Sequence, residues 1–104
     1  MTKLDAGQHM RVVAHVAEAS ATLSAIRLKK LRAPRTLEYN RHLDMLDSDL
    51  LSLTARLTDM GSDERDLTDD LRGVVNLVRD LNRVELESVR KDVEAAFLEY
   101  VGKV

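Results

Sequence analysis

Three histidines, His9, His15 and His42, are the side chains in this sequence best suited to holding a metal ion. On a helix, Glu18 would lie one turn from His15, and Glu38 one turn from His42. Such pairs are common on solvated helix surfaces. Carboxylate-bridged metal sites in helical bundles instead repeat a Glu-x-x-His step on two helices, and the sequence contains no such step. We therefore predict no metal site and no cofactor.

Catalytic nucleophiles and phosphate-binding loops are equally hard to place. Ser48, Ser52 and Ser88 fall on predicted helix faces, and no Gly-x-Ser-x-Gly turn is present to expose a nucleophile. The four glycines are isolated from one another, whereas a phosphate loop needs several before a helix. Carboxylates that act in acid/base catalysis need a cleft that raises one pKa, and a small aliphatic bundle offers little cleft. We predict no catalytic residues and expect that the protein is not an enzyme.

Composition limits the fold to a single aliphatic domain. The chain has 104 residues, of which 44% are hydrophobic and only 3% aromatic, and it has no cysteine. A chain of this length supports one modest core, and the lack of cysteine fits a reducing compartment. Neither a signal-peptide apolar run nor a stretch of ~20 apolar residues occurs, so we predict a cytoplasmic protein that does not span a membrane.

Apolar spacing predicts helices almost throughout. A first helix is expected at about 8–32, ended by Ala33-Pro34, because proline disfavours helical geometry at the residue before it. A second is expected at about 36–60, where the apolar residues are spaced 4, 3, 4, 3, 4, 3 as in the seam of a coiled coil: Tyr39, Leu43, Leu46, Leu50, Leu53, Leu57 and Met60. Gly61 then supplies a helix stop, and Ser62 or Asp63 the cap of the next helix.

The third predicted helix is long, at about 63–101, and its apolar stripe shifts along its length. The stripe up to Leu81 and the stripe from Leu86 onward differ by roughly 90° around the helix, as a stutter in the repeat would produce. Gly73 lies inside the helix at a cost of about 1 kcal/mol relative to alanine, so a kink or split is expected near Gly73 if anywhere. The sequence thus predicts an all-α, elongated, antiparallel three-helix bundle with up-down-up topology, forming a single domain over residues 1–104.

Charge is segregated along the chain although its net value is only −2. Residues 27–41 carry a net +5, with a charged patch formed by Arg27, Lys29, Lys30, Arg32 and Arg35. Residues 44–70 carry a net −7. A regulatory nucleic-acid-associated factor using segment 27–41 is therefore the alternative function, although the patch lacks the aromatic side chains that stack on bases, which argues against nucleic acid as a partner. Charges that favour the ends of helices would explain the same pattern.

Both the second and the third predicted helix carry apolar residues outside their main stripes. A wide core would account for part of this excess, and a docking face for another helix would account for the rest. We predict a partner-binding face built by helices 2 and 3, which takes a helical segment of another protein or a second copy of the chain in a homodimer: Leu86, Val89, Val93, Phe97, Leu51 and Met45.

The segment from Leu71 to Tyr100 resembles the C-terminal half of the small flagellar and type III export chaperones of bacteria. Leu81-Asn82-x-x-Glu85 lies in the middle of a long amphipathic helix that follows a leucine-rich helix, and these features carry the resemblance over about thirty residues. The family is all-α and holds a helix of a secretion substrate. The resemblance implies that the late part of helix 3, around Leu86, Val89, Val93 and Phe97, grips a substrate peptide.

Overall fold

The computed structural model describes residues 6–29, 35–58 and 67–101. Within these ranges the chain forms four α-helices and one short 3-10 turn, and no strand. The helices are α1 (Ala6–Leu28), α2 (Leu37–Thr58), α3 (Thr68–Leu81) and α4 (Glu87–Val101), and the 3-10 turn, Val84–Leu86, leads directly into α4. The all-α prediction is confirmed.

Helix α1 ends earlier than the sequence predicted. The last helical residue is Leu28, four residues before the predicted end at Arg32, and the amide of Lys29 donates to the carbonyl of Ile26 (3.2 Å) in a closing turn. Predicted helix residues 30–32 lie outside the described residues. One face of α1 is fully buried and consists of Val12, Val16, Ala19 and Leu23. These residues repeat at steps of four and three, which places them on one side of the helix.

Helix α2 follows its predicted pattern closely. Thr36 caps its start, because the Thr36 hydroxyl accepts a hydrogen bond from the amide of Tyr39 (3.1 Å). All six described members of the predicted seam are buried: Tyr39, Leu43, Leu46, Leu50, Leu53 and Leu57. The seventh member, Met60, and the Gly61-Ser62 boundary lie outside the described residues. The seam serves neighbouring helices of the same chain.

The predicted third helix is two helices, and the break is at Asn82 instead of Gly73. Helix α3 runs without interruption through Gly73. It ends where Asn82 adopts the left-handed conformation (φ 47°, ψ 49°) and donates its amide to the carbonyl of Val78 (3.3 Å). Asparagine tolerates this conformation better than most residues, which explains why the chain turns here. The expected kink or split near Gly73 is therefore wrong.

The four helices form an antiparallel bundle with up-down-up-down topology, which replaces the three-helix up-down-up prediction. Helices α1 and α3 each pack against both α2 and α4. Each of the four pairs of antiparallel neighbouring helices is joined by an ion pair: Arg27–Asp47, Arg56–Asp70, Arg79–Glu94 and Arg11–Glu99. The bundle measures 47 × 25 × 19 Å, so its long axis follows the helices.

A single aliphatic core fills the bundle, and no charged or polar side chain is buried in it among the described residues. Tyr39 is its one buried aromatic residue, while Phe97 and Tyr100 pack against its edge. Among the described residues, the most extensive contact between two helices is that of α1 with α4, and the least extensive contact between neighbouring α-helices is that of α2 with α3. The loosest seam of the bundle is therefore the one between α2 and α3.

Candidate docking groove

A groove opens along the loose seam between α2 and α3, and we refer to it as the α2–α3 groove. Its volume is about 370 Å³. Leu53 of α2 and Val74 and Leu77 of α3 supply apolar walls, and Met45 lies at one end with 55% of its surface exposed. Because Leu53 and Val74 are themselves core residues with 2% exposure, the groove continues the core outward to the surface.

Gly73 forms part of the groove lining and leaves it open. A Cβ atom added at Gly73 would meet no other heavy atom within 4 Å. Its φ angle is not positive either, since Gly73 lies inside the regular α-helix α3. Neither close packing within the chain nor an unusual backbone conformation therefore requires a glycine at this position.

Acidic side chains dominate the polar lining of the α2–α3 groove. Asp49, Asp69 and Asp70 line it together with a single cation, Arg56. Arg56 pairs with Asp70 (2.6 Å), and Asp69 pairs with Arg72 (3.1 Å). Asp49 is exposed and has no ion-pair partner in the part of the chain that the structure describes. The groove is therefore apolar at its base and negatively charged at its rim.

The structure does not bring together the six residues predicted to bind a partner. Met45 lines the groove, whereas Leu51, also exposed, lies outside it. Leu86, Val89 and Val93 are buried in the core at 1% exposure or less, so they present no docking face in this structure. The remaining member, Phe97, is half-buried, with the guanidinium of Arg72 5.7 Å from its ring centre.

The basic patch is partly neutralised within the chain. Arg27 pairs with both Asp44 and Asp47 of α2. The side chain of Arg35 is only 9% exposed and pairs with Glu85 (3.3 Å). Lys29 is exposed, and Lys30 and Arg32 lie outside the described residues. Two of the five predicted cations are therefore engaged with carboxylates of the same molecule.

A polar network that the sequence did not reveal closes one end of the bundle. Arg35 donates to the carbonyl of Ile26 (2.8 Å) at the end of α1 and to Glu85 in the 3-10 turn. Tyr39 donates its hydroxyl proton to the same carboxylate, and Arg83 stacks over the Tyr39 ring at 4.6 Å. The network ties α1, α2 and the turn before α4 together. Arg35 and Glu85 are 50 residues apart in sequence, so no local sequence pattern indicates the network.

Burial and hydrogen bonding shift two pKa values in this network. Burial, and then the hydrogen bond to Glu85, raise the pKa of Tyr39 to about 12. Burial also acts to raise the pKa of Glu85, but the hydrogen bonds from Tyr39 and Arg35 and the two nearby arginine charges outweigh it, so the pKa of Glu85 lies below its ordinary value. Glu85 is thus an ionised acceptor with its oxygens occupied, which suits it to holding the fold together.

The three histidines that were considered as metal ligands do not form a metal site in the described part of the chain. His15 lies on α1 with its Nδ1 atom 3.6 Å from Asp92 of α4. Across residues 6–29, 35–58 and 67–101, no group of three or more histidine, cysteine, aspartate or glutamate side chains is arranged to hold a metal ion. Nor does any buried polar side-chain atom in these ranges lack a hydrogen-bond partner.

Comparison with known proteins identifies no relative. No protein-family model matches the chain, and it has no match among curated proteins or solved structures. None of the described helices combines the length and the apolar character needed to cross a membrane. Function must therefore be inferred from the residues of this chain.

Proposed function

We propose that the protein is a non-enzymatic interaction module whose α2–α3 groove docks an amphipathic helix of another protein. The occupant has an apolar stripe for the base of the groove and lysine or arginine side chains along the edges of that stripe. Helix-in-groove binding is a common mode of peptide recognition, in which an amphipathic helix lays its apolar face in an apolar channel. The observation that carries the proposal is the open, glycine-lined seam between α2 and α3.

Gly73 supports a close approach by another molecule. A glycine inside a helix costs about 0.5–1 kcal/mol relative to alanine, and in the described part of the chain no packed neighbour occupies the space that a side chain at Gly73 would fill. Without a side chain at this position, a helix laid in the groove can approach the backbone of α3. Close contact with the partner helix would then offset the cost of Gly73 in the complex.

The acidic side chains that line the groove support a basic occupant. Asp49 is exposed and has no ion-pair partner among the described residues, and Asp69 and Asp70 lie on the facing helix. Acidic rims accelerate association with basic partners and disfavour acidic ones. The lining of the groove runs from Met45 to Arg56 along α2, roughly 16 Å at 1.5 Å per residue, which accommodates about three turns of a partner helix.

The resemblance to export chaperones adds a class of occupant to this proposal, namely a helix of a secretion substrate. The resemblance assigns the contact with that helix to Leu86, Val89 and Val93, among others, but these three are core residues here. The substrate helix would therefore lie in the α2–α3 groove. The resemblance also relied on one long helix across Leu81-Asn82-x-x-Glu85, and the chain instead turns at Asn82.

Nucleic-acid binding by segment 27–41 draws less support, because Arg27 and Arg35 are already paired with carboxylates. Binding of that kind depends on the release of counterions from phosphates and falls steeply with salt. Cations held by neighbouring acids contribute little to such release.

A labelled amphipathic peptide of leucine and lysine, compared with a leucine and glutamate peptide of the same pattern, tests the proposed function. By fluorescence anisotropy, we expect the lysine peptide to bind the full chain and the glutamate peptide not to bind. Asp49→Lys should weaken binding of the lysine peptide about tenfold, a loss of about 1.4 kcal/mol, because it reverses the charge at the rim.

The matched control is Asp80→Lys, which makes the same charge change at an exposed position of α3 outside the groove. It should weaken binding much less than Asp49→Lys does. Equal losses from the two variants, or equal binding of the two peptides, would show that the groove does not select a basic helix.

A further inference from the structure

A second, smaller pocket lies where α3 turns into α4, and we call it the arginine pocket. Its volume is about 220 Å³. Three arginines line it together with a single carboxylate among the described residues: Arg79 at the end of α3, Arg83 in the turn, Arg90 on α4, and Glu87. It shares no lining residue with the α2–α3 groove. The groove is acidic, whereas this pocket is basic.

Glu94 of α4 fixes the positions of Arg79 and Arg90. Arg79 contacts its carboxylate through Nε (2.7 Å) and Nη2 (2.6 Å). Arg90 contacts it through Nη1 (3.1 Å) and uses Nη2 for Glu87. A guanidinium has five N–H donors, and no contact in the described part of the chain uses Nη1 of Arg79 or Nε of Arg90. Both cations are therefore held in place with donors to spare, which lowers the entropic cost of binding an anion.

Arg83 adds a charge that no carboxylate among the described residues pairs with directly. Its exposed side chain lies over the Tyr39 ring at 4.6 Å. The charge of Arg83 helps to lower the pKa of Glu85, but the oxygens of that carboxylate already accept hydrogen bonds from Tyr39 and Arg35. Stacking on a ring leaves the N–H groups at the guanidinium edge free to donate. With the two carboxylates that hold Arg90 counted against the three arginines, the cluster keeps a net charge of +1.

The size and the base of the arginine pocket indicate a phosphate that carries a small organic group. A water molecule takes up about 30 Å³ in the liquid, so the pocket holds roughly seven, whereas a phosphate has only four oxygens. Val78 and Leu86 supply the apolar part of the lining and belong to the core. Guanidinium groups match the oxygens of a phosphate in bidentate contacts, and a phosphate dianion suits three cations better than a singly charged carboxylate does.

We infer that the arginine pocket binds a small phosphate monoester. Its phosphate lies among Arg79, Arg83 and Arg90 and accepts hydrogen bonds from their unused N–H groups. Its organic group lies against Val78 and Leu86. The inference does not depend on the proposed function, because the arginine pocket and the α2–α3 groove have no residue in common.

Titration of the isotope-labelled full chain with phenyl phosphate, followed by amide chemical shifts, tests the inference. We expect saturating shifts along residues 78–90, a dissociation constant on the order of 1 mM, and little change along residues 45–56 of the groove. Benzoate has the same ring but a single charge and should bind about fivefold more weakly or worse. Inorganic phosphate should also bind more weakly, because it has no organic group. Equal binding of benzoate would overturn the assignment to phosphates, and equal binding of inorganic phosphate would overturn the role of the organic group.

Three variants show whether the arginine pocket is the site. Arg83→Gln should weaken binding of phenyl phosphate about tenfold, because it removes a cation with N–H groups to donate. Arg41→Gln makes the same charge change at an exposed position of α2 outside the pocket and should change binding by no more than about twofold.

Glu87→Gln is expected to tighten binding about threefold, because it removes the carboxylate that faces the ligand, and damage to the fold would not produce such a gain. Shifts along residues 78–90 that do not saturate, equal losses from Arg83→Gln and Arg41→Gln, or weaker binding by Glu87→Gln would overturn the inference.

Discussion

At the scale of single residues, Glu85 joins parts of the chain that are distant in sequence. It accepts hydrogen bonds from Tyr39 and Arg35, and Arg35 in turn caps the end of α1 through the carbonyl of Ile26. One carboxylate therefore links three segments that are distant in sequence. Hydrogen bonds to a charged group contribute about 1.5–3 kcal/mol each to stability when they are protected from water, and less where the group is partly exposed, as Glu85 is.

Glu85→Gln is expected to lower the free energy of unfolding at neutral pH by about 1 kcal/mol. The pKa of Glu85 is lower in the folded chain than in the unfolded chain, so ionisation stabilises the fold. That stabilisation is complete above the ordinary glutamate range and is lost as the pH falls through the lowered folded pKa. The parent chain and the variant should therefore converge in stability at strongly acidic pH.

Urea unfolding of both proteins across the acidic range measures this convergence. Glu38→Gln, at an exposed position in the first turn of α2, is the control and should change stability by no more than about 0.5 kcal/mol. A gap between parent chain and Glu85→Gln that stays constant down to the lowest pH would mean that ionisation of Glu85 does not stabilise the fold.

At the scale of elements, the sequence predicted the helical faces well and two boundaries poorly, the end of α1 and the break between α3 and α4. The α2 seam and the buried face of α1 follow directly from apolar spacing, because a helix places every third and fourth residue on one side. Gly73 was a misleading signal. Its cost of about 1 kcal/mol is outweighed when Leu71, Val74 and Val78 on either side are buried. The change in direction of the apolar stripe between Leu81 and Leu86 coincides with the observed break between α3 and α4.

Asn82 is predicted to be the residue that permits the turn between α3 and α4. Asn82→Gly should keep or slightly raise stability, because glycine adopts positive φ without steric cost. Asn82→Val should lower the free energy of unfolding by about 1–2 kcal/mol, since a β-branched residue is strained in this conformation. Thermal melts of the two variants and the parent chain measure these differences in stability. Equal stability of the glycine and valine variants would contradict the left-handed turn.

At the scale of the whole molecule, the four-helix arrangement changes what the surface can do. Turning at Asn82 folds the second half of the predicted third helix back into the core, so Leu86, Val89 and Val93 pack against the bundle. A sequence reading that keeps one long helix leaves them on the surface instead. Met45 and the acidic rim were recognisable from sequence. Their assembly into one groove was not, because it depends on how closely α2 and α3 approach, which no spacing pattern encodes.

Selective docking in the α2–α3 groove is the central claim, and amide chemical-shift mapping by nuclear magnetic resonance tests it most directly. The isotope-labelled full chain is titrated with the unlabelled leucine and lysine peptide. Because the claim places the peptide between two helices, the largest shifts are expected along residues 45–56 of α2 and 69–77 of α3, with little change along α4. Shifts that are greatest on α1 or α4, or spread evenly over the bundle, would contradict it.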